Sequence, residues 1–530
     1  MDSFKALRQI SEHLSKYKMK QIDIIGNQAS ESRYTEFYNL LHEGKLKDDD
    51  DAARHFYGAK ANAKTPAYRK FKSQFKDRIL STFMFIDASI HTLSDRQSAG
   101  TILHRDWNSL TLIQASGLSY AYILFGERLI AEAIKFDFFE IALDIIVKVK
   151  GNYAIQIGDK KKYDYYNELF HKCFTLVSIE FQARELFEKI RINYVKSARF
   201  QPEQAQAAKE AYLQLKPYMD KYDSFNLHFF GRAIELMQYA CLNKYADLLS
   251  ASQSMYDFFK QKPFECRGPL ASALQTKLMC CIALRKYEEG EQAAKESLEM
   301  SDEGTVNWFK SLELQVILYL HTGKYQEAFA VYDSVRKHSS KPYLQQSYQE
   351  TWLLIEAYLY FLISNGYAPP LTIKTANLGK FKLTKFLNDV ELFTHDKEGL
   401  NIPTLIVKII LLVSEGQKDQ ISDYLEALVK YRQRHVKKES AAYRSNEFIK
   451  VLETLPLVHY HAKRFEAATK KFVDNIKTVA VNVFEDGFRL EVMPYDIAWE
   501  MMIPILAQKQ TLLMDSGQLI MDNRLGLEIC

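Results

Sequence analysis

The chain of 530 residues is short of turn formers, with 20 glycines and 12 prolines. Sandwiches and barrels need many tight turns, so this scarcity argues against an all-β fold. Cysteine is scarce as well. The six (Cys173, Cys241, Cys266, Cys280, Cys281 and Cys530) form no C-x-x-C pair and no regular framework, a pattern expected of reduced thiols in a cytosolic protein. Charge of one sign is lacking too: the net charge of +4 is too near neutral to imply nucleic acid by itself. There is no long apolar run. The most apolar stretch, "IPTLIVKIILLV" at 402–413, is too short to span a bilayer and carries Lys408. The first residues, "MDSFKALRQISEHLSKYK", lack the apolar core of a signal peptide. The expectation is a soluble, cytoplasmic protein with no membrane partner.

What is abundant is aromatic side chains, 32 Tyr and 33 Phe, set in helical periodicity. Long helices packed side by side use such rings as large fillers. In "TPAYRKFKSQFKDRILSTFMFID" (65–87), Thr65 suits an N-cap and Pro66 the first helical turn. Tyr68, Phe71, Phe75, Ile79 and Phe83 then share one stripe. Before it, "DDDDAARHFYG" (48–58) reads as a short helix with acids at its N-terminus and Gly58 as its stop. Further helices are expected at about 107–136, 138–158, 161–193, 203–220, 225–243, 246–260, 267–284, 287–300, 305–321 and 325–338, then from about 382 to 510. The tail "SGQLIMDNRLGLEIC" has no strong periodicity. Pro369-Pro370 lies in the longest break, 364–381. The expected organisation is an N-terminal helical subdomain (1–95), a repeat block (96–363), a connector (364–381), and a C-terminal repeat block with tail (382–530).

One stretch raises a question. In "LYLHTGKYQEAFAVY" (318–332) an apolar helix stops for a Gly-Lys-Tyr and resumes at once. The whole of 309–335 reads as helix, tight turn, helix. Gly323 ends the first helix, Tyr325 wedges at the turn, and Ala328 allows close approach. The pattern recurs at 449–475, set 140 residues on, where Tyr325 meets Phe465, Ala328 meets Ala468 and His321 meets His461. It recurs at 274–298 with Tyr287 and Gly290, and more weakly near Tyr245 and at Phe139 and Ala142. This resembles the tetratricopeptide repeat (TPR), a helix–turn–helix unit of about 34 residues. The departures are Arg285 and Lys463 at the turn glycine, Gln315-Val316 in the first helix, and turn-aromatic spacings of 42 (245 to 287) and 38 (287 to 325). The resemblance implies an all-α, TPR-like α-solenoid of stacked antiparallel helical hairpins.

Motifs that carry chemistry are missing. There is no G-x-x-x-x-G-K-[ST], no G-x-G-x-x-G after a strand and no H-E-x-x-H. His459 and His461 point about 200° apart on a helix and cannot share a metal. Cys280-Cys281 reads as buried packing. No cofactor and no enzymatic activity are expected. The resemblance implies instead a scaffold or adaptor that binds a peptide or partner protein along its concave face. In the repeat register the groove-facing residues are Gln275, Met279, Lys310, Glu313, Ile317, His321, Lys450, Glu453 and Tyr460. The alternative is a regulator whose N-terminal element binds nucleic acid. Residues 1–80 hold 16 Lys/Arg against 11 Asp/Glu, and Arg69, Lys72 and Lys76 would offer charge to phosphates. Oligomeric state is left open by the sequence.

Overall fold

The computed structural model describes residues 4, 33–82, 95–196, 201–368, 401–435, 443–481 and 491–525. Among these there are twenty α-helices and no strand. They fall into two compact units, Met1–Val177 and Ser178–Cys530. The division lies inside a helix, so it coincides neither with the boundary expected at 95/96 nor with the one at 363/364.

The first unit begins with α1 (Arg33–His42), α2 (Asp49–Tyr57) and α3 (Pro66–Thr82). The local signals work as expected. Asp48 caps α2 by accepting from the Asp51 amide, and Gly58 ends it at φ 92°. Tyr68, Phe71, Phe75 and Ile79 are buried, and with Phe37 and Leu41 they form a core of their own. Phe83 lies outside the described residues. Next come α4 (Asp95–Ala115), α5 (Ser119–Lys135), α6 (Phe139–Asn152) and a π-helical turn, Tyr153–Ile157. The single helix expected over 107–136 is in fact two. Gly117, at φ 74°, breaks it between α4 and α5.

A 37-residue helix, α7 (Lys160–Lys196), carries the chain into the second unit. There follow α8 (Gln201–Lys221), α9 (Phe225–Ala240), α10 (Tyr245–Lys260), α11 (Arg267–Ala283), α12 (Tyr287–Glu299), α13 (Val306–His321), α14 (Tyr325–Lys337) and α15 (Gln346–Ser364). Then come α16 (Asn401–Glu415), α17 (Lys418–His435), α18 (Tyr443–Leu457), α19 (Ala462–Lys477) and α20 (Tyr495–Leu525). The tail is therefore helical as far as Leu525, further than its weak periodicity suggests. Most of the 364–381 connector lies outside the described residues.

Helices pack in chain order. Most lean on their successors, and α11 leans on α13, α13 on α15 and α16 on α18. One turn geometry recurs. A residue with positive φ ends the first helix, one residue follows, and the next helix begins. Gly117, Asp137, Asn243, Arg285, Gly323 and Gly416 hold this place. The amide one residue later reaches back five residues: Lys324 to Tyr319 at 2.9 Å, Lys286 to Cys281 at 2.8 Å, Lys244 to Tyr239 at 3.1 Å. This is a Schellman closure, which satisfies carbonyls that the helix end leaves orphaned. The Gly-Lys-Tyr is thus a C-terminal stop, a link, and the first residue of α14.

The fourth residue of each second helix is buried whatever its size: Tyr122, Ala142, Leu248, Gly290, Ala328, Ile421 and Phe465. This corrects the repeat register. α14 starts at Tyr325 and α19 at Ala462, an offset of 137 rather than 140. Phe465 therefore matches Ala328, not Tyr325. Phe465 is fully buried, whereas Tyr287 and Tyr325 are half-buried. At the turn before α19 both His459 and Tyr460 take positive φ, where the six turns above have one such residue.

In the second unit one core runs from Tyr245 to Leu506. α16 lies within it, with Ile406, Val407, Ile409, Ile410, Leu411 and Leu412 all fully buried. That accounts for the apolar run at 402–413. Lys408 survives there with its ammonium 5.0 Å from the centre of the Tyr424 ring. Among the described residues no helix is long and apolar enough to cross a membrane.

Candidate interaction sites

The helices expected to line a groove are met at their C-terminal ends by other parts of the protein. Three described points of the segment after α19 meet the C-terminal ends of three successive first helices. The Val481 amide donates to the Ala283 carbonyl at the end of α11 (3.2 Å). The Glu491 carbonyl lies 2.9 Å from His321 Nε2 at the end of α13. Tyr367 Oη, just past α15, donates to the Met501 carbonyl (3.0 Å).

At the centre sits Arg444, the second residue of α18. Its Nε and Nη2 grip both oxygens of Glu491 at 2.8 and 2.7 Å, and its Nη1 donates to the carbonyls of Ile476 and, at 2.9 Å, Val479. The other oxygen pairs are Asp496 with Arg444 at 3.5 Å and with Arg285 at 3.2 Å. Glu491 Oε1 also accepts the Tyr495 amide at 2.7 Å, and the Tyr495 ring stacks on Phe448. Burial works against the Arg444 charge, but the Coulombic pull and hydrogen bonds of Glu491 outweigh it and hold the guanidinium protonated. His321 is fully enclosed. Burial pushes its imidazole down to about 4, so it is neutral, with Nε2 the protonated nitrogen that meets the Glu491 carbonyl.

The groove candidates are therefore largely interior. Glu313 and Ile317 have no exposed surface, and Lys310, His321 and Gln275 are buried. Gln275 ties α11 to α13 by donating to the Asn307 carbonyl (2.9 Å) and Ser311 Oγ (3.0 Å). Lys310 and Glu313 form a buried ion pair at 2.7 Å, not a solvated rim. At the corrected offset this pair recurs with its signs reversed: Glu447 stands for Lys310 and Lys450 for Glu313, and they too are paired. Lys450 is thus not the partner of Glu453, which binds Arg432 at 2.8 Å. His461 is not the counterpart of His321. It follows the turn, while His321 closes its helix. Met279 is half-buried against the core. Tyr460 sits in the turn at φ 58°, its ring under Lys418.

Of the three candidate phosphate contacts, Lys72 is withdrawn. It is buried and donates to both oxygens of Asp49 at 2.6 and 2.8 Å, and Tyr68 Oη binds the same carboxylate. Arg69 is exposed and Lys76 half-buried. The five described cysteines are buried. Burial raises the Cys281 thiol to about 11, which keeps it inert. Among the described residues no cluster of His, Cys, Asp and Glu suits a metal ion.

A second constellation, in the first unit, carries no sequence signal. Glu127 on α5 accepts from Tyr153 Oη and Tyr166 Oη, both at 2.8 Å, and from Lys162 Nζ at 3.2 Å. Burial alone would raise its carboxyl, but these three donors hold it below the usual range. The two tyrosine rings stack at 5.9 Å, and Tyr153 is pushed up to about 12 by burial and by Glu127. Around this knot the surface is apolar: Tyr120 is 81% exposed and Ile155 86%. A scan against protein-family models and searches of the curated proteins and of the solved structures gave no match.

Proposed function

We propose that the chain is a non-enzymatic protein-interaction scaffold, a TPR-like helical-repeat protein that acts in the cytoplasm and engages a partner through its first unit. The observation that carries this reading is the distribution of exposed apolar surface. Among the described residues, most of the large hydrophobic side chains left in solvent fall within 102–174. Contiguous apolar surface on a soluble chain marks a place where something docks. The face formed by the ends of α11, α13 and α15 is a weaker candidate, because Val481, Glu491 and Met501 already meet it.

The test is comparative affinity purification from the native cell. The wild-type chain and a Tyr120→Glu/Leu124→Glu variant serve as baits, with quantitative mass spectrometry of what co-purifies. At least one protein should be held by the wild type and lost, by tenfold or more (roughly 1.4 kcal/mol), from the variant. Identical sets from the two baits would sink the proposal. The nucleic-acid alternative has lost Lys72, and no other observation favours it.

A further inference from the structure

We infer that the apolar end of the first unit is a self-association surface, and that its occupant is a second copy of this chain. The inference rests on the interaction reading above and names its partner. Three observations carry it.

The first is place. α4, α5, α6 and α7 reverse direction at each connection, so the α4–α5 turn (116–118) and the α6–α7 connection (153–159) come to the same end. Tyr153 and Tyr166 on Glu127 of α5 fasten the two together. Leu118, Tyr120 and Leu124 from one turn, and Ile155, Ile157 and Tyr165 from the other, are all at least half exposed. The second is rigidity. The Glu127 knot and the stacked rings hold the platform in shape, so little ordering is needed when it docks.

The third is charge, and it selects the occupant. Residues 110–126 contain no charged side chain, in a chain that is 26% charged. At the rim, the first turns of α7 expose both signs, Lys160 and Lys161 beside Asp164 and Glu168. An anionic lipid surface or an acidic peptide calls for a rim of one sign. A two-fold contact sets a patch against itself, so single-sign charge repels, while a neutral centre with a mixed rim is its own complement.

The experiment is sedimentation equilibrium of the full chain over a roughly hundredfold concentration range. The expected result is twice the chain mass for the wild type. Tyr120→Glu/Leu124→Glu should sediment at one chain mass with its helical circular dichroism intact. Should that variant lose helix, Tyr120→Ser/Ile155→Ser provides the reading, with self-association weakened about tenfold or more. A wild type of one chain mass throughout overturns the inference, as does a folded variant that associates like the wild type. If the wild type is monomeric yet a cellular partner is lost from the Glu variant, the second copy is excluded while the interaction function stands. If neither occurs, both fall.

Discussion

Arg444 and Glu491 are 47 positions apart, and their side chains are almost wholly enclosed, at 4% and 0% exposed. Truncating one member of such a pair leaves a buried charge without its counter-ion, so Arg444→Ala should cost about 3–5 kcal/mol in denaturant unfolding. Arg444→Met with Glu491→Leu should recover much of that loss, since neither charge is then stranded. A single variant within about 0.5 kcal/mol of wild type would show the knot to be dispensable. The same logic applies to Lys310 and Glu313. A solvated i,i+3 pair would be worth a few tenths of a kcal/mol. A fully enclosed Glu313 makes Lys310→Ala alone the damaging change, about 3 kcal/mol, with the double variant closer to wild type. His321 adds a pH dependence. Its folded imidazole takes a proton near pH 4, and the unfolded one near 6.5. Between those values the unfolded chain binds more protons, so the contribution is full above 6.5 and is lost as pH falls towards 4. About 2 kcal/mol should go by pH 5. His228, buried and also lowered to about 4, adds a similar slope. His321→Asn should therefore lessen, not abolish, the fall in stability between pH 7 and 5. An unchanged fall would reassign it.

At the level of the helical hairpin, turn chemistry is the most legible feature. Gly323 and Gly416 stand where positive φ is needed, and Gly323→Ala should cost about 1 kcal/mol. His459 stands at the same place with φ 54° and an exposed side chain. His459→Gly should raise stability by about 0.5–1 kcal/mol in thermal melts, and a fall would mean that the imidazole has a role of its own. The register error has a physical source. Phe465 and Tyr325 are both aromatic and both follow a turn, so residue type aligned them. The buried fourth position accepts Gly290, Ala328 or Phe465 according to the space facing it, and a position defined by burial rather than by side-chain type leaves no fixed letter to align. The charge reversal between Lys310–Glu313 and Glu447–Lys450 hid the equivalence further. An ion pair is as satisfied one way round as the other.

For the second unit as a whole, the C-terminal helices complete the core begun by α10–α15. A chain ending at residue 442 would leave His321, Tyr358 and the ends of α11 and α13 without the residues that enclose them. It should lose cooperative unfolding and the protease resistance of 245–364, and expose enough apolar surface to bind a hydrophobic dye. A soluble truncation with native near-ultraviolet circular dichroism would show that the hairpins stand without their closure. A stack of hairpins that met only its neighbours would tolerate such a cut far better.

The sequence by itself determined the helices, most of their boundaries, the stops at Gly58 and Gly323 and the α3 stripe of Tyr68, Phe71, Phe75 and Ile79. These follow from interactions within a few residues along the chain: periodicity, capping and allowed φ. Only the tertiary structure decided which polar groups face solvent. Lys72, Lys310 and Glu313 look like surface charge in any local window, yet each is buried by residues or elements that the window does not contain. The Arg444–Glu491–Asp496 knot, the Glu127 knot and the apolar end of the first unit join side chains from separate helices. Their burial and exposure are set by packing across long loops of chain, and local propensity has no term for that.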